Sequence, residues 1–293
     1  MFTQRYITKK IQQYKSRKKT FVETDAPFHF TRIRRCIHPV FRRLLHMKSI
    51  ICGLSYEIIS EQPKVNKNEA VIYAISHIGK YDYEMLVEAY DFFAYTLAGD
   101  WKLMYGELDD YFLRFNGTCY VDTEDKEDRL NSYKFIKKAL KNGISMLIFP
   151  EGIWNLSESL PILKLYSGCA LAAYECNVPI IPIAIEQYNK HFVINIGKKM
   201  YLTSNQTLQN NIELRDTLAT LKWEIWEKQP LSKRADIQSI YYKEFIRKRL
   251  AEWPHFDIET IKNRVYKDTT DYELEAIHRD LKTLTKMQSI ARG

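Results

Sequence analysis

The chain has 293 residues, 45% hydrophobic and 27% charged, with only 10 Gly and 9 Pro. That is the make-up of a folded protein long enough for a full core, and it excludes a chain dominated by disordered linkers. The net charge of +8 points to an anionic partner, either a membrane surface or nucleic acid.

The five cysteines, Cys36, Cys52, Cys119, Cys169 and Cys176, are scattered and include no Cys-x-x-Cys pair. This suits reduced thiols in a cytosolic compartment better than a disulfide framework or a zinc site. No run reaches the ~18 apolar residues of a membrane-spanning helix. Residues 1–20 are too polar for a secretory signal. The expected location is therefore the cytoplasm.

The basic charge is concentrated early. Arg5, Lys9, Lys10, Lys15, Arg17, Lys18 and Lys19 are followed by Arg32, Arg34, Arg35, Arg42 and Arg43. Between Ile33 and Ile51, the residues Ile33, Ile37, Val40, Leu44 and Ile51 fall on one narrow helical face, with Phe41 and Leu45 at its edge. Arg35, Arg42, Arg43 and His46 lie opposite. This predicts a basic amphipathic helix containing Pro39. Two readings are open: an interfacial helix on anionic lipid, or a surface helix packed on its own core with a solvated basic face. No helix-turn-helix, zinc-knuckle or glycine-aromatic sheet signature supports nucleic acid, so no nucleic-acid partner is expected.

From Glu69 to Gly197 short apolar runs alternate with helical periods. Strands are predicted over 71–75, 118–121, 145–149, 180–185 and 193–196, with helices over 83–90 and 125–142. In the second helix Leu130, Tyr133, Ile136 and Leu140 share a face, and Gly143 follows its end. Such alternation predicts an α/β fold with a mixed, largely parallel central sheet flanked by helices. Ligands gather at the carboxyl ends of such strands. There stand His77, then Asp122 and Thr123, then Pro150-Glu151-Gly152. A histidine past a buried strand with Asp82 five residues on can form a hydrogen-bonded general base. Each cluster alone could be an ordinary turn.

Four segments occur in order: Ser76-His77-x4-Asp82, Gly117-Thr118-Cys119-Tyr120-Val121-Asp122, Leu147-Ile148-Phe149-Pro150-Glu151-Gly152 and Val178-Pro179-Ile180-Ile181-Pro182-Ile183. Together they resemble the blocks of the glycerol-phosphate and lysophospholipid acyltransferases, such as 1-acylglycerol-3-phosphate acyltransferase, over about Glu69 to Gly197. The resemblance implies transfer of a fatty acyl group from an acyl-thioester donor, coenzyme A or a carrier protein, to a hydroxyl of a lipid or polyol acceptor. It implies His77 as general base and Asp82 as its orienting carboxylate, with no nucleophilic Ser or Cys and no metal or redox cofactor. Glu151 and Gly152 would shape the acceptor pocket, which would also draw on Gly117, Thr123, Trp154 and Lys164. The bland reading of Glu151 is a helix cap or a loop ion pair.

The chain departs from the family where phosphate is bound. Members acting on phosphate-bearing acceptors usually carry Arg at the end of the second block and Thr-Arg after Glu-Gly. Here Thr123 and Trp154 take those places. A basic residue often found upstream would fall near Asp100, with Lys102 two positions later. The loss of guanidinium forks predicts an acceptor other than a simple glycerol phosphate, unless Lys102 or Lys164 compensates. Trp154 could stack on a sugar ring or an acyl chain.

Beyond Tyr201 helices follow without strands, over 214–226, 237–253 and 272–287, separated by Pro230 and Pro254. Their aromatics, including Trp223, Trp226, Tyr242, Phe245 and Trp253, read as core, with a lid or docking surface as the alternative. The organisation expected is a basic arm with its amphipathic helix (1–60), an acyltransferase core (61–200) and a helical extension (201–293). The protein would associate peripherally with the anionic inner face of the membrane. Two other readings stay open: a membrane scaffold with altered catalysis, and a thioesterase using the same pair on water.

Overall fold

The computed structural model describes residues 4–66, 69–99, 101–105, 108–123, 125–157, 160–229 and 234–252. The predicted helix over 272–287, together with Trp253, Pro254, Pro230 and Asp100, lies outside them. In chain order the elements are α1 (Gln4–Glu23), α2 (Ala26–His29), α3 (Thr31–Cys52), β1 (Ser55–Ile58), β2 (Ile72–Ile75), α4 (Asp82–Ala89) and β3 (Ala94–Ala98). There follow α5 (Trp101–Met104), α6 (Leu108–Phe115), β4 (Cys119–Tyr120), α7 (Lys126–Lys141), β5 (Ser145–Ile148), α8 (Gly168–Cys176), β6 (Ile180–Tyr188) and β7 (His191–Ile196). The chain closes with α9 (Thr207–Lys228), α10 (Arg234–Tyr241), a π-helical turn (Tyr242–Ile246) and α11 (Arg247–Glu252).

The strands form a mixed sheet of order β1-β7-β6-β2-β5-β3-β4. Every pairing is parallel except the β6–β7 hairpin. The expected α/β sheet flanked by helices is therefore what the chain builds. β2 and β5 are buried at every residue, as parallel strands covered on both faces must be. Alternation divides them between two cores: Ile72, Ala74, Met146 and Ile148 face one, while Tyr73, Ile75 and Leu147 face the other.

Two strands escaped sequence reading. β1 lies within the stretch read as the N-terminal arm, yet it pairs with β7. β3 inserts between β5 and β4. β1 alternates exposed and half-buried residues and β3 is fully buried at only two of five, so neither shows the continuous buried run of β2 and β5.

The predicted helix over 125–142 forms as α7. Asp125 caps it by accepting from Glu127 N and Asp128 N. Its buried face is rotated from the one expected: Ile136 and Leu140 are buried and Tyr133 packs partly against the core, but Leu130 is exposed, and Asp128, Ser132, Phe135 and Ala139 are buried as well. The rotation follows from partners on α1. Tyr14 Oη donates to Asp128 Oδ2 at 2.7 Å, Lys18 Nζ donates to Ser132 Oγ at 2.5 Å and to the Tyr120 carbonyl, and the Tyr14 ring stacks on Trp101 at 4.0 Å. Lys10 and Lys18, two of the early cations, are thus buried rather than solvated.

The amphipathic helix forms as α3, rotated so that Arg34, His38, Arg42 and Ser49 turn inward beside Phe41 and Leu45, while Arg35, Arg43 and His46 stay exposed. Arg34 donates to the carbonyls of Pro27 and Phe115 and to Tyr95 Oη at 2.5 to 2.6 Å. Arg42 donates to Val87 O and Glu88 O and pairs with Asp91. Those two carbonyls belong to the last turn of α4, which has no helical donors left for them. His46 and Ser49 both bond the Glu88 carboxylate. The apolar row faces solvent, from 38% exposed at Ile37 to 82% at Ile51.

His38, on the inward side, sits against Phe93 with Nε2 unpartnered. Burial, with a contribution from Arg42, holds its pKa below the ordinary value near 6.5. The neutral form is the folded one, so stability is full above about pH 6.5 and declines as pH falls from there toward the folded pKa. Thermal melts between pH 7.5 and 5.5 should lose stability faster for wild type than for His38→Leu, by at most about 1.4 kcal/mol per pH unit. Parallel curves would remove His38 as an acid-sensitive contact.

Candidate active site

β2 ends at Ile75, and the chain turns through Ser76 to Tyr81 before α4 begins at Asp82. Ser76 is buried and exchanges hydrogen bonds with the backbone of Ile185 on neighbouring β6. His77 follows with its side chain 20% exposed, while Asp82 is fully buried. His77 Nδ1–H donates to Asp82 Oδ2 at 2.8 Å. The same oxygen accepts from Ile78 N at 2.5 Å and Gly79 N at 2.8 Å. One carboxylate thus closes the turn and fixes the imidazole, leaving Nε2 as the nitrogen to take a proton. Phe149 stacks on the imidazole with ring centroids 4.2 Å apart.

The third block holds the backbone of His77. Glu151, only 2% exposed, accepts from His77 N at 2.9 Å through Oε1 and from Leu163 N at 2.8 Å through Oε2. Asn155 N donates to His77 O at 2.7 Å. Glu151 therefore braces the backbone of His77. Gly152 takes φ +68°, and a Cβ there would come within 2.5 Å of the Tyr166 ring. Its role is the tight turn that directs Glu151 inward.

The second block lies three strands along the same carboxyl edge, about 14 Å from β2 at the usual strand spacing. Gly117, at φ +88°, abuts the Tyr95 ring and opens β4. Thr123 follows that strand, and its carbonyl accepts from Arg129 Nη1 at 2.6 Å. Lys102, one of the two candidate compensating cations, pairs with Asp122 at 3.3 Å, and Trp101 Nε1 donates to the same carboxylate at 3.0 Å. Lys164 is exposed on the 160–166 loop, which Leu163 anchors to Glu151. Trp154 is buried with its ring 6.0 Å from that of His77, packed against Ile78, Tyr241 and Phe245.

The fold thus brings His77, Asp82, Glu151, Gly152 and Trp154 together, and places Gly117 and Thr123 farther along the edge. Sequence reading missed Phe149, Asn155, Lys80 and Tyr241 near His77; Phe245, read as core with a lid or docking surface as the alternative, packs on Trp154. Asn155 lies four residues past Glu151, but its use of backbone groups leaves no sequence signal. Ser76 Oγ is committed to Ile185, and burial pushes the Cys119 and Cys169 thiols up, the latter to about 12. These groups are poorly placed as nucleophiles. The geometry suits a base acting on a hydroxyl brought by a substrate.

Removal of the Glu151 carboxylate would orphan two backbone N–H groups. Glu151→Ala should lower kcat by at least tenfold and destabilise by about 3 kcal/mol, at ~1.5–3 kcal/mol per hydrogen bond to a charged group. Glu151→Gln, keeping one acceptor, should recover part of both. Denaturant melts and initial rates check this. An unchanged kcat in Glu151→Ala would remove its bracing role.

Residues 58–186 match the family model described as Acyltransferase. An uncharacterized acyltransferase of Schizosaccharomyces pombe is 25% identical over 166 residues, covering 54% of this chain and 59% of that protein. A 1-acyl-sn-glycerol-3-phosphate acyltransferase of Saccharomyces cerevisiae is 22% identical over 162 residues, covering 53% and 52% respectively. The chain spans a little over half the length of these relatives. Among solved structures, the 1-acyl-sn-glycerophosphate (LPA) acyltransferase PlsC from Thermotoga maritima superposes with a TM-score of 0.55 at 13% identity. That match covers 73% of this chain and 90% of the other, and establishes likeness of fold. With four ordered blocks, a braced His–Asp pair and a matching family model over residues 58–186, this part of the chain is similar to the acyltransferases, among them a 1-acyl-sn-glycerol-3-phosphate acyltransferase.

Proposed function

We propose that the protein transfers a fatty acyl group from an acyl-thioester to a hydroxyl of a lipid or polyol acceptor. The observation that carries this reading is the His77–Asp82 pair, held at both ring and backbone, at the carboxyl edge of the family domain. His77 Nε2 takes the acceptor's hydroxyl proton as its oxygen attacks the thioester carbonyl. Asp82 stabilises the imidazolium that forms. The carbon–sulfur bond breaks, and the departing thiolate takes the proton to leave as a thiol. The donor is coenzyme A or a carrier protein.

The acceptor is a lysolipid, glycolipid or polyol whose recognised part is not a simple glycerol phosphate. The support is local. Thr123 and Trp154 stand where arginines would grip a phosphate, Lys102 is paired with Asp122, and Trp154 is enclosed by aromatic rings. Each charge-assisted bond lost weakens phosphate binding by roughly 1.5–3 kcal/mol.

The partner surface proposed is an anionic bilayer on the cytoplasmic side, met by α3. Ile33, Ile37, Val40, Leu44, Met47 and Ile51 project outward, and exposed Arg32 and Arg43 lie beside the row. Apolar burial would set the depth of binding and the flanking cations would favour anionic headgroups. Among the described residues no helix is long and apolar enough to cross a membrane.

Purified protein should acylate at least one acceptor in a panel of lysolipids, glycolipids and polyols supplied with a labelled acyl-thioester. His77→Ala should lose on the order of 10²–10⁴ in rate. Transfer surviving His77→Ala removes the assigned base. Free acid without acylated product favours a thioesterase, and lipid binding without turnover favours a scaffold. Lysophosphatidic acid as the best acceptor of the wild type overturns the acceptor reading, under which Thr123→Arg should improve its use.

In liposome sedimentation, Ile37→Asp with Leu44→Asp should abolish binding to anionic vesicles. Arg32→Gln with Arg43→Gln should weaken binding and reduce its salt dependence. Binding unaffected by the aspartates would place the contact elsewhere.

A further inference from the structure

Residues 237–252 lie outside the family domain, yet they touch it at the points that matter for catalysis. Gln238 Nε2 donates to Leu156 O at 3.1 Å. The rings of Tyr241 and Phe245 lie 5.2 and 4.9 Å from Trp154, with Ile237 completing the cluster against Ile78. Glu244 Oε2 pairs at 2.7 Å with Lys80, a residue of the catalytic turn between His77 and Asp82. α11 then reaches α5, beside Asp122. One segment therefore crosses the carboxyl edge from the first block to the second. Its middle is a π-helical turn, a wide turn often found at functional sites. That turn directs both Glu244 and Phe245 at the domain.

We propose that Lys80, Glu244, Tyr241 and Phe245 form a strap that decides which nucleophile reaches His77, admitting the acceptor while keeping water from the thioester. The inference rests on the acyltransferase reading above. The base cannot make this choice itself. In transfer the acceptor oxygen loses its proton to His77, bonds the acyl carbon and displaces the thiol. In hydrolysis water does the same and yields a free acid and the same thiol. Discrimination must come from exclusion of water around the base. The strap is built to move. Its ion pair is about two-fifths exposed on each side, so it resists opening weakly. Its aromatic contacts are non-directional, so an apolar substrate can take the place of Trp154 against Tyr241 and Phe245.

The test measures free acid against acylated acceptor for wild type, Glu244→Lys and the exchange Lys80→Glu with Glu244→Lys. Glu244→Lys should raise the free-acid share about two- to fivefold, the range one exposed ion pair supports. The charge exchange should return it toward wild type. Phe245→Ala, which leaves the pair in place, should raise it as well. An unchanged share in Glu244→Lys, or a rise that the exchange does not reverse, overturns the strap. An unchanged share in Phe245→Ala overturns its apolar half. Wild-type protein yielding neither product overturns the acyltransferase reading itself, whereas wild-type transfer with an unaltered share in the variants overturns the strap alone.

Discussion

The placement of His77 at the carboxyl edge depends on the hydrogen bonds accepted by the buried Glu151 carboxylate. A charge removed from water must be satisfied by donors, and Glu151 finds them in the backbone N–H groups of His77 and Leu163. That requirement joins the end of β5 to the end of β2 and carries the 160–166 loop with it. Asp82 performs the matching task from the other side, with one oxygen serving the imidazole and two backbone donors. His77 is thus held at ring and main chain by two carboxylates: Asp82 bonds the imidazole, and Glu151 fixes the backbone.

The same rule governs the charged residues elsewhere. A net charge of +8 overstates the free basic surface, because many cations are structural struts. Arg34 and Arg42 satisfy carbonyls between α3 and the domain, Lys18 ties α1 to the end of β4 and to α7, and buried Lys222 pairs with Glu186 beside the carbonyl of Ile185. Turning these polar groups inward obliges the apolar row of α3 to face outward. An amphipathic helix always offers two orientations, and here guanidinium-to-carbonyl bonds choose between them.

Two departures from the pattern of the resembled family reinforce each other. Asp122 holds Lys102, so the second block presents a neutralised pair. Trp154 stands after Glu151-Gly152 and is enclosed by residues from α10 and the π-helical turn. An aromatic side chain in place of a guanidinium lets the C-terminal segment pack directly on the catalytic turn, where a charged residue would have required solvent or an anion.

The sequence by itself determined the layered α/β class, the order of the four blocks and the identity of the His77–Asp82 pair. Those features are local: a buried strand, a turn and a helix start lie within a dozen residues and write their signals in hydrophobic period and spacing. Only the tertiary structure decided the burial of Lys10 and Lys18, the face of α7 that packs inward, the orientation of α3, the bracing of the His77 backbone by Glu151 and the approach of Tyr241, Glu244 and Phe245 to Trp154 and Lys80. Each of these depends on a partner in another element, often a backbone group that every residue possesses. No pattern along the chain records such a partner until the fold has brought it into contact.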